Sequence, residues 1–123
     1  MIIMNYLIIA LQIIVGISIL NVWLIQYNKA TKWRGGNAKT LLEEFRVYGL
    51  SKQMCYIIGF FKVTLAVLLI CAIWFPALKQ PAALGLTLLL SGSVVMHFKI
   101  NDPLIKSFPA TLFLLLCLVI AFV

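Results

Sequence analysis

The chain is short of acid. Only three carboxylates occur in 123 residues, Glu43, Glu44 and Asp102, against ten lysines and arginines. Histidine occurs once, as His97. Charged residues reach 11% in total, where an ordinary soluble domain carries roughly a quarter. These shortages exclude much chemistry. One histidine cannot supply a bis-histidine haem within one chain. No Cys/His cluster has the spacing of a zinc site. There is no Gly-rich phosphate loop and no G-x-S-x-G elbow. No carboxylate lies in an apolar run, which argues against a proton antiporter of the small four-helix drug-efflux type. Cys55, Cys71 and Cys117 form no C-x-x-C pair. Cys55 and Cys71 would stand about 24 Å apart along one helix, far beyond the ~7 Å reach of a disulfide. They read as buried free thiols. No catalytic residue, metal or bound cofactor is expected, and the chain reads as non-enzymatic.

What the sequence has is apolar surface. Hydrophobic residues make up 64%, and mean hydropathy is +1.13. A soluble fold could not cover that surface with so few polar groups, whereas in a bilayer lipid is the solvent. A spanning helix needs about 20 mostly apolar residues. Windows at 5–27, 56–75, 82–98 and 108–123 qualify. They do not alternate as β-barrel strands do. The expected fold is an all-α, antiparallel four-helix transmembrane bundle, one domain over 1–123, with a loop at 28–53. The start of the chain lacks a basic region ahead of its apolar run, so it reads as a retained span rather than a signal peptide.

Turn chemistry marks the breaks. Pro76 and Pro81 bracket one short connection, and Asn101-Asp102-Pro103 opens the next. Short connections make the second and third spans neighbours, and likewise the third and fourth. In the long loop, Arg34-Gly35-Gly36-Asn37 reads as a flexible turn. Thr40-x-x-Glu43 reads as a capping box, and Gly49 as a helix stop. Leu41, Leu42, Phe45 and Tyr48 recur at helical spacing. The segment is expected to be a short amphipathic helix on the membrane surface.

The basic residues are unevenly placed. Lys29, Lys32, Arg34, Lys39, Arg46 and Lys52 fall in the first loop, and Lys99 and Lys106 in the third. Lys79 alone is on the other side. Under the positive-inside rule the basic loops should be cytoplasmic, with both termini outside. Tyr27, Trp33 and Trp74 suit interfacial belts. Topology explains the charge, so nucleic acid is not an expected partner. Membrane lipid is, and a membrane-protein partner or a second copy is allowed by the small-residue faces.

Lys62 is the most informative residue. It lies about 14 Å into the second span, where a charge usually faces a bundle interior or a cavity. Two readings stay open. Lys62 anchors an anionic or carbonyl-bearing ligand or relays a proton, or it snorkels to the cytoplasmic side. Gly59 and Ala66 share its face. Gln12, Gly16, Ile19, Trp23 and Gln26 form a matching stripe on the first span, where the glutamines read mainly as inter-helix hydrogen bonders. Gly85, Gly92 and Met96 share a face of the third span, and Ser91 and Ser93 can bond back to its backbone. His97 and Asp102 are a candidate pair, either pinning a turn or handling a proton near a pocket mouth.

The run Gly59-x-x-Lys62, Leu68-Leu69, Pro76, Ala82-Ala83-Leu84-Gly85, His97, Asn101-Asp102-Pro103, Lys106 and Pro109 resembles the DoxX-like family of bacterial four-helix membrane proteins. The likeness covers the last 70 or so residues in order and spacing. It implies the fold and a location in the bacterial inner membrane. In similar proteins the position of Lys62 often holds Glu, and the reversed charge argues against this site working as an acid. The family name derives from a quinol-oxidase-associated subunit. The resemblance therefore suggests an accessory subunit of a redox or envelope complex. The alternative is a small hydrophobic ligand, a quinone or lipid, held in the bundle at Lys62, with Gly59, Gln12, Trp23, His97 and Asp102 as further candidates.

Overall fold

A bilayer offers the backbone no hydrogen-bond partner, so each apolar run must close its own N–H···O=C ladder as a helix. The computed structural model of the chain describes residues 2–29 and 34–123. Helix α1 is Ile2–Leu20 and continues as a π-helical turn, Asn21–Ile25. Helix α2 is Leu41–Val47, α3 Lys52–Cys71, α4 Lys79–Lys99 and α5 Phe108–Phe122. Four stretches are long and apolar enough to cross a membrane: Ile3–Ile25, Lys52–Cys71, Pro76–Lys99 and Leu104–Phe122. The protein is a multi-pass membrane protein, an all-α four-helix bundle with a short extra helix between its first two spans. Lys32 and Trp33, counted above to the basic loop and the aromatic belt, lie outside the described residues.

Local chemistry moves the helix ends away from the apolar windows. The second span begins at Lys52 rather than 56, because the Ser51 hydroxyl accepts the Met54 N–H at 3.1 Å and caps the first turn. The Pro76–Pro81 connection is shorter than expected. Only Pro76–Leu78 forms a 3₁₀ turn, and Pro81 sits in the first turn of α4. Proline is tolerated there because its missing N–H would have no helical partner. A second 3₁₀ turn, Leu104–Ser107, leads into α5.

The spans pack in chain order around a ring: α1 on α3, α3 on α4, α4 on α5, and α5 back on α1. Lipid supplies no hydrophobic drive between helices, so close approach at small residues does this work. A β-carbon on Gly16 would lie 2.5 Å from Ile70, and one on Gly85 would lie 2.9 Å from Leu65. At the far end the Gln80 amide donates to the Ala121 carbonyl at 3.1 Å, tying the start of α4 to the end of α5. Large apolar side chains such as Ile3, Phe60 and Leu88 point outward, as a lipid-facing surface requires.

Helix α2 is present where the periodicity places it. The Thr40 hydroxyl accepts the Glu43 N–H at 3.1 Å, and Glu43 reaches back to the Lys39 N–H at 2.7 Å. This is a capping box displaced by one residue at its return bond. A Schellman turn ends the helix. Leu50 N–H bonds the Phe45 carbonyl at 2.9 Å, and Gly49 N–H bonds Arg46 at 3.0 Å, with Gly49 at φ +83°. The buried face of Leu41, Phe45 and Tyr48 turns into the bundle and closes its basic end against α3 and Trp23.

Candidate ligand cavity at the basic end of the bundle

Beneath α2 the spans border a cavity of about 800 Å³. Its body is apolar, with Ile19, Leu90 and Phe113 in the wall. Its polar groups include Arg34, Glu44, Tyr48, Lys62, Ser93 and His97. This composition, mostly apolar with a few placed polar groups, is that of small-molecule sites.

Lys62 does not snorkel to the surface. Its side chain is buried, with the residue 8% exposed. Nζ donates to the Ser93 hydroxyl at 2.9 Å and stands 5.6 Å from the centre of the Trp23 ring. The ring's negative face favours a cation there. Trp23 reaches this place through the π-helical turn, in which Gln26 N–H bonds the Asn21 carbonyl at 2.8 Å. Such one-residue widenings re-aim side chains and recur at functional sites.

A second group of polar residues forms the cavity's loop-side end. Helix α4 ends in a Schellman turn. Asp102 N–H bonds the His97 carbonyl at 3.0 Å and Asn101 N–H bonds Phe98 at 3.1 Å, with Asn101 in the left-handed region at φ 56°. The reversal folds Asp102 back over the helix, where its Oδ2 meets His97 Nδ1 at 2.7 Å. On the other side of the ring, Nε2 lies 3.3 Å from the Tyr48 hydroxyl. Tyr48 donates its proton to Glu44 Oε1, and Glu44 Oε2 is 3.5 Å from Arg34 Nη1. A continuous chain therefore runs from Asp102 through His97, Tyr48 and Glu44 to Arg34. Burial, then the nearby Glu44 and Asp102 carboxylates, push the Tyr48 phenol far above its ordinary range, with Arg34 opposing.

Arg34 is held by carbonyls. Nη2 donates to Gln26 at 2.6 Å and to Lys29 at 3.1 Å, satisfying the end of the first span. Its Nε is buried with no partner among the described residues. The Arg34-Gly35-Gly36-Asn37 segment is not a free turn. Gly36 N–H donates to Asp102 Oδ1 at 3.0 Å, and Lys106 Nζ donates to the Gly36 carbonyl at 2.5 Å. Gly35 is needed because a β-carbon there would lie 2.8 Å from the Tyr48 ring.

The candidate residues thus divide. Lys62, Trp23 and His97 line the cavity. Asp102 stands behind His97. Gly59 lies beyond Trp23, on a smaller hollow of about 400 Å³ that also includes Tyr27 and Cys55. Gln12 bonds across helices, its amide donating to the Leu69 carbonyl at 3.0 Å. That carbonyl is open because Ile73 N–H bonds Ile70 instead. Arg34, Glu44 and Tyr48 had not been singled out for the site. The spacing held a signal: Glu44 follows Leu41 by three residues and precedes Tyr48 by four, on the buried face of α2.

No curated protein and no solved structure matches the chain. The DoxX-like family is matched over residues 30–121.

Proposed function

The chain belongs to the DoxX-like family, and from that premise we propose that it is a non-enzymatic inner-membrane protein that binds a small amphiphile in its bundle. The apolar body of the cavity takes the ligand's hydrophobic part, and Lys62 anchors an anionic or carbonyl-bearing head. A quinone or a single lipid chain has this chemistry. The observation that carries the reading is the 800 Å³ cavity with a buried lysine in its wall. That volume lies inside the roughly 300–1,000 Å³ range of small-molecule sites.

The basic loops would face the cytoplasm, which places the α2-covered end of the cavity there. Mass spectrometry of protein purified with its lipids tests the binding. Recovery of a quinone or lipid, lost in Lys62→Met, supports it. Absence of any retained molecule, with Lys62→Met unchanged in binding, overturns it. An accessory role in a redox or envelope complex is the second reading, favoured by family membership. It loses its support if mild-detergent purification from native expression never recovers a second protein.

A further inference from the structure

The charges around the cavity narrow the ligand's class. This step rests on the binding proposed above. Three cations and two carboxylates lie in or against the wall at the polar end, while Lys99, exposed outside it, caps the Tyr48 carbonyl at 3.0 Å. Arg34 faces Glu44 at 3.5 Å, and Lys106 faces Asp102 at 4.0 Å. Lys62 has only the Ser93 hydroxyl and the Trp23 ring, and no carboxylate among the described residues within ion-pair distance. Among these three, Lys62 is the buried cation left without a carboxylate partner among the described residues.

We infer that the ligand is a single-chain amphiphile whose head carries one negative charge, a long-chain carboxylate being the simplest case. An unpaired charge in a low-dielectric site is costly, and a matched opposite charge offsets that cost. A neutral carbonyl offers only a dipole to the ammonium. A doubly charged phosphate monoester would leave its second charge unmatched in the same medium. One negative charge balances the site.

Two further observations fit the head group at this end. Lys62 Nζ spends one donor on Ser93, which leaves others for a ligand oxygen. Ser93 and His97 are one turn apart on α4, about 5–6 Å between Cβ atoms, so Lys62 opens onto the same polar end as the relay of His97, Tyr48 and Glu44. Arg34 Nε–H, buried at 4% residue exposure, has no partner among the described residues and lies in that wall. The remaining wall is apolar and takes the chain.

The test compares cis-parinarate with its methyl ester on the full-length protein in non-ionic detergent, at neutral pH. Probe fluorescence rises on burial and reports saturable binding. The acid is expected to bind about tenfold or more tighter than the ester. Lys62→Met should bring the acid down to the ester, and Lys62→Arg should keep the preference. Equal, saturable binding of acid and ester to the unaltered protein overturns the charge assignment and leaves the pocket standing. Saturable binding of neither overturns both readings. Acid preference that survives Lys62→Met, or an alkyl phosphate monoester that outcompetes the carboxylate, also overturns the inference. The comparison on the unaltered protein decides the matter even if a variant does not fold.

Discussion

Trp23 occupies the notch that Gly59 leaves open: a β-carbon at position 59 would stand 2.6 Å from Trp23 Cζ3. The contact fixes the height of the indole beneath Lys62. It joins a small-residue site on α3 to the wall of the cavity.

Gly59→Ala should therefore displace the ring. Overpacking of this kind costs about 1–3 kcal/mol. A lower Tm and a shifted tryptophan emission are expected. Gly92→Ala is the control, since nothing lies within 4 Å of a β-carbon there. A Gly59→Ala protein that melts with the parent and emits like it would contradict the notch.

Asp102 should hold the 34–40 segment as well as His97. Asp102→Ala removes the acceptor for Gly36 N–H and for the imidazole. Stripping one partner from a buried charged network costs about 3–5 kcal/mol. Asp102→Asn keeps one carbonyl oxygen and should lose less. Limited proteolysis should cut the 34–40 segment faster in the alanine variant. Equal resistance of both variants and the parent would show that Asp102 pins nothing.

Alkaline titration should separate the tyrosines. Burial and the Cys55 thiol raise the Tyr27 phenol from 10.0 to about 12, and Tyr48 stands higher still. A folded-state pKa above the unfolded one gives stability that is complete below the ordinary value of 10.0. That stability falls as pH rises through the folded value. Phenolate absorbance should show Tyr27 and Tyr48 still un-ionised at about pH 11, with Tyr48 released only on unfolding. Tyr48→Phe should lack that last step. Full ionisation of every tyrosine by that pH would refute the buried network.

Sidedness has a direct measurement. Asn37 is exposed in the basic loop. Asn37→Cys should resist a membrane-impermeant thiol reagent applied to the periplasmic side of intact cells, and react once the cells are opened. Labelling of intact cells above the parent's background would reverse the orientation.

The architecture was legible because its signals are long-range averages. Apolar length, proline breaks and basic-loop bias survive without knowledge of any contact. The site was only half legible. Lys62 stood out because a charge among apolar residues is visible in one dimension, and the His97–Asp102 pair because five residues and a turn motif separate them. Arg34 and Glu44 did not stand out. Their burial arises when α2 closes over the bundle, and a basic loop hides one arginine among many cations. Gln12, also a candidate ligand group, read mainly as an inter-helix hydrogen bonder, and it donates to the Leu69 carbonyl. The π-helical turn had no signal in periodicity, since one extra residue changes the phase only at its end.

Leu88, Phe108 and Leu112 belong to the cavity wall and also to the exposed apolar exterior. The cavity is thus continuous with the hydrocarbon of the bilayer. For an apolar guest, the concentration that governs occupancy is its mole fraction among the lipids, and its concentration in water matters only through partitioning. Diluting the protein into more lipid would empty the site at constant total ligand. Occupancy would then follow the composition of the surrounding membrane.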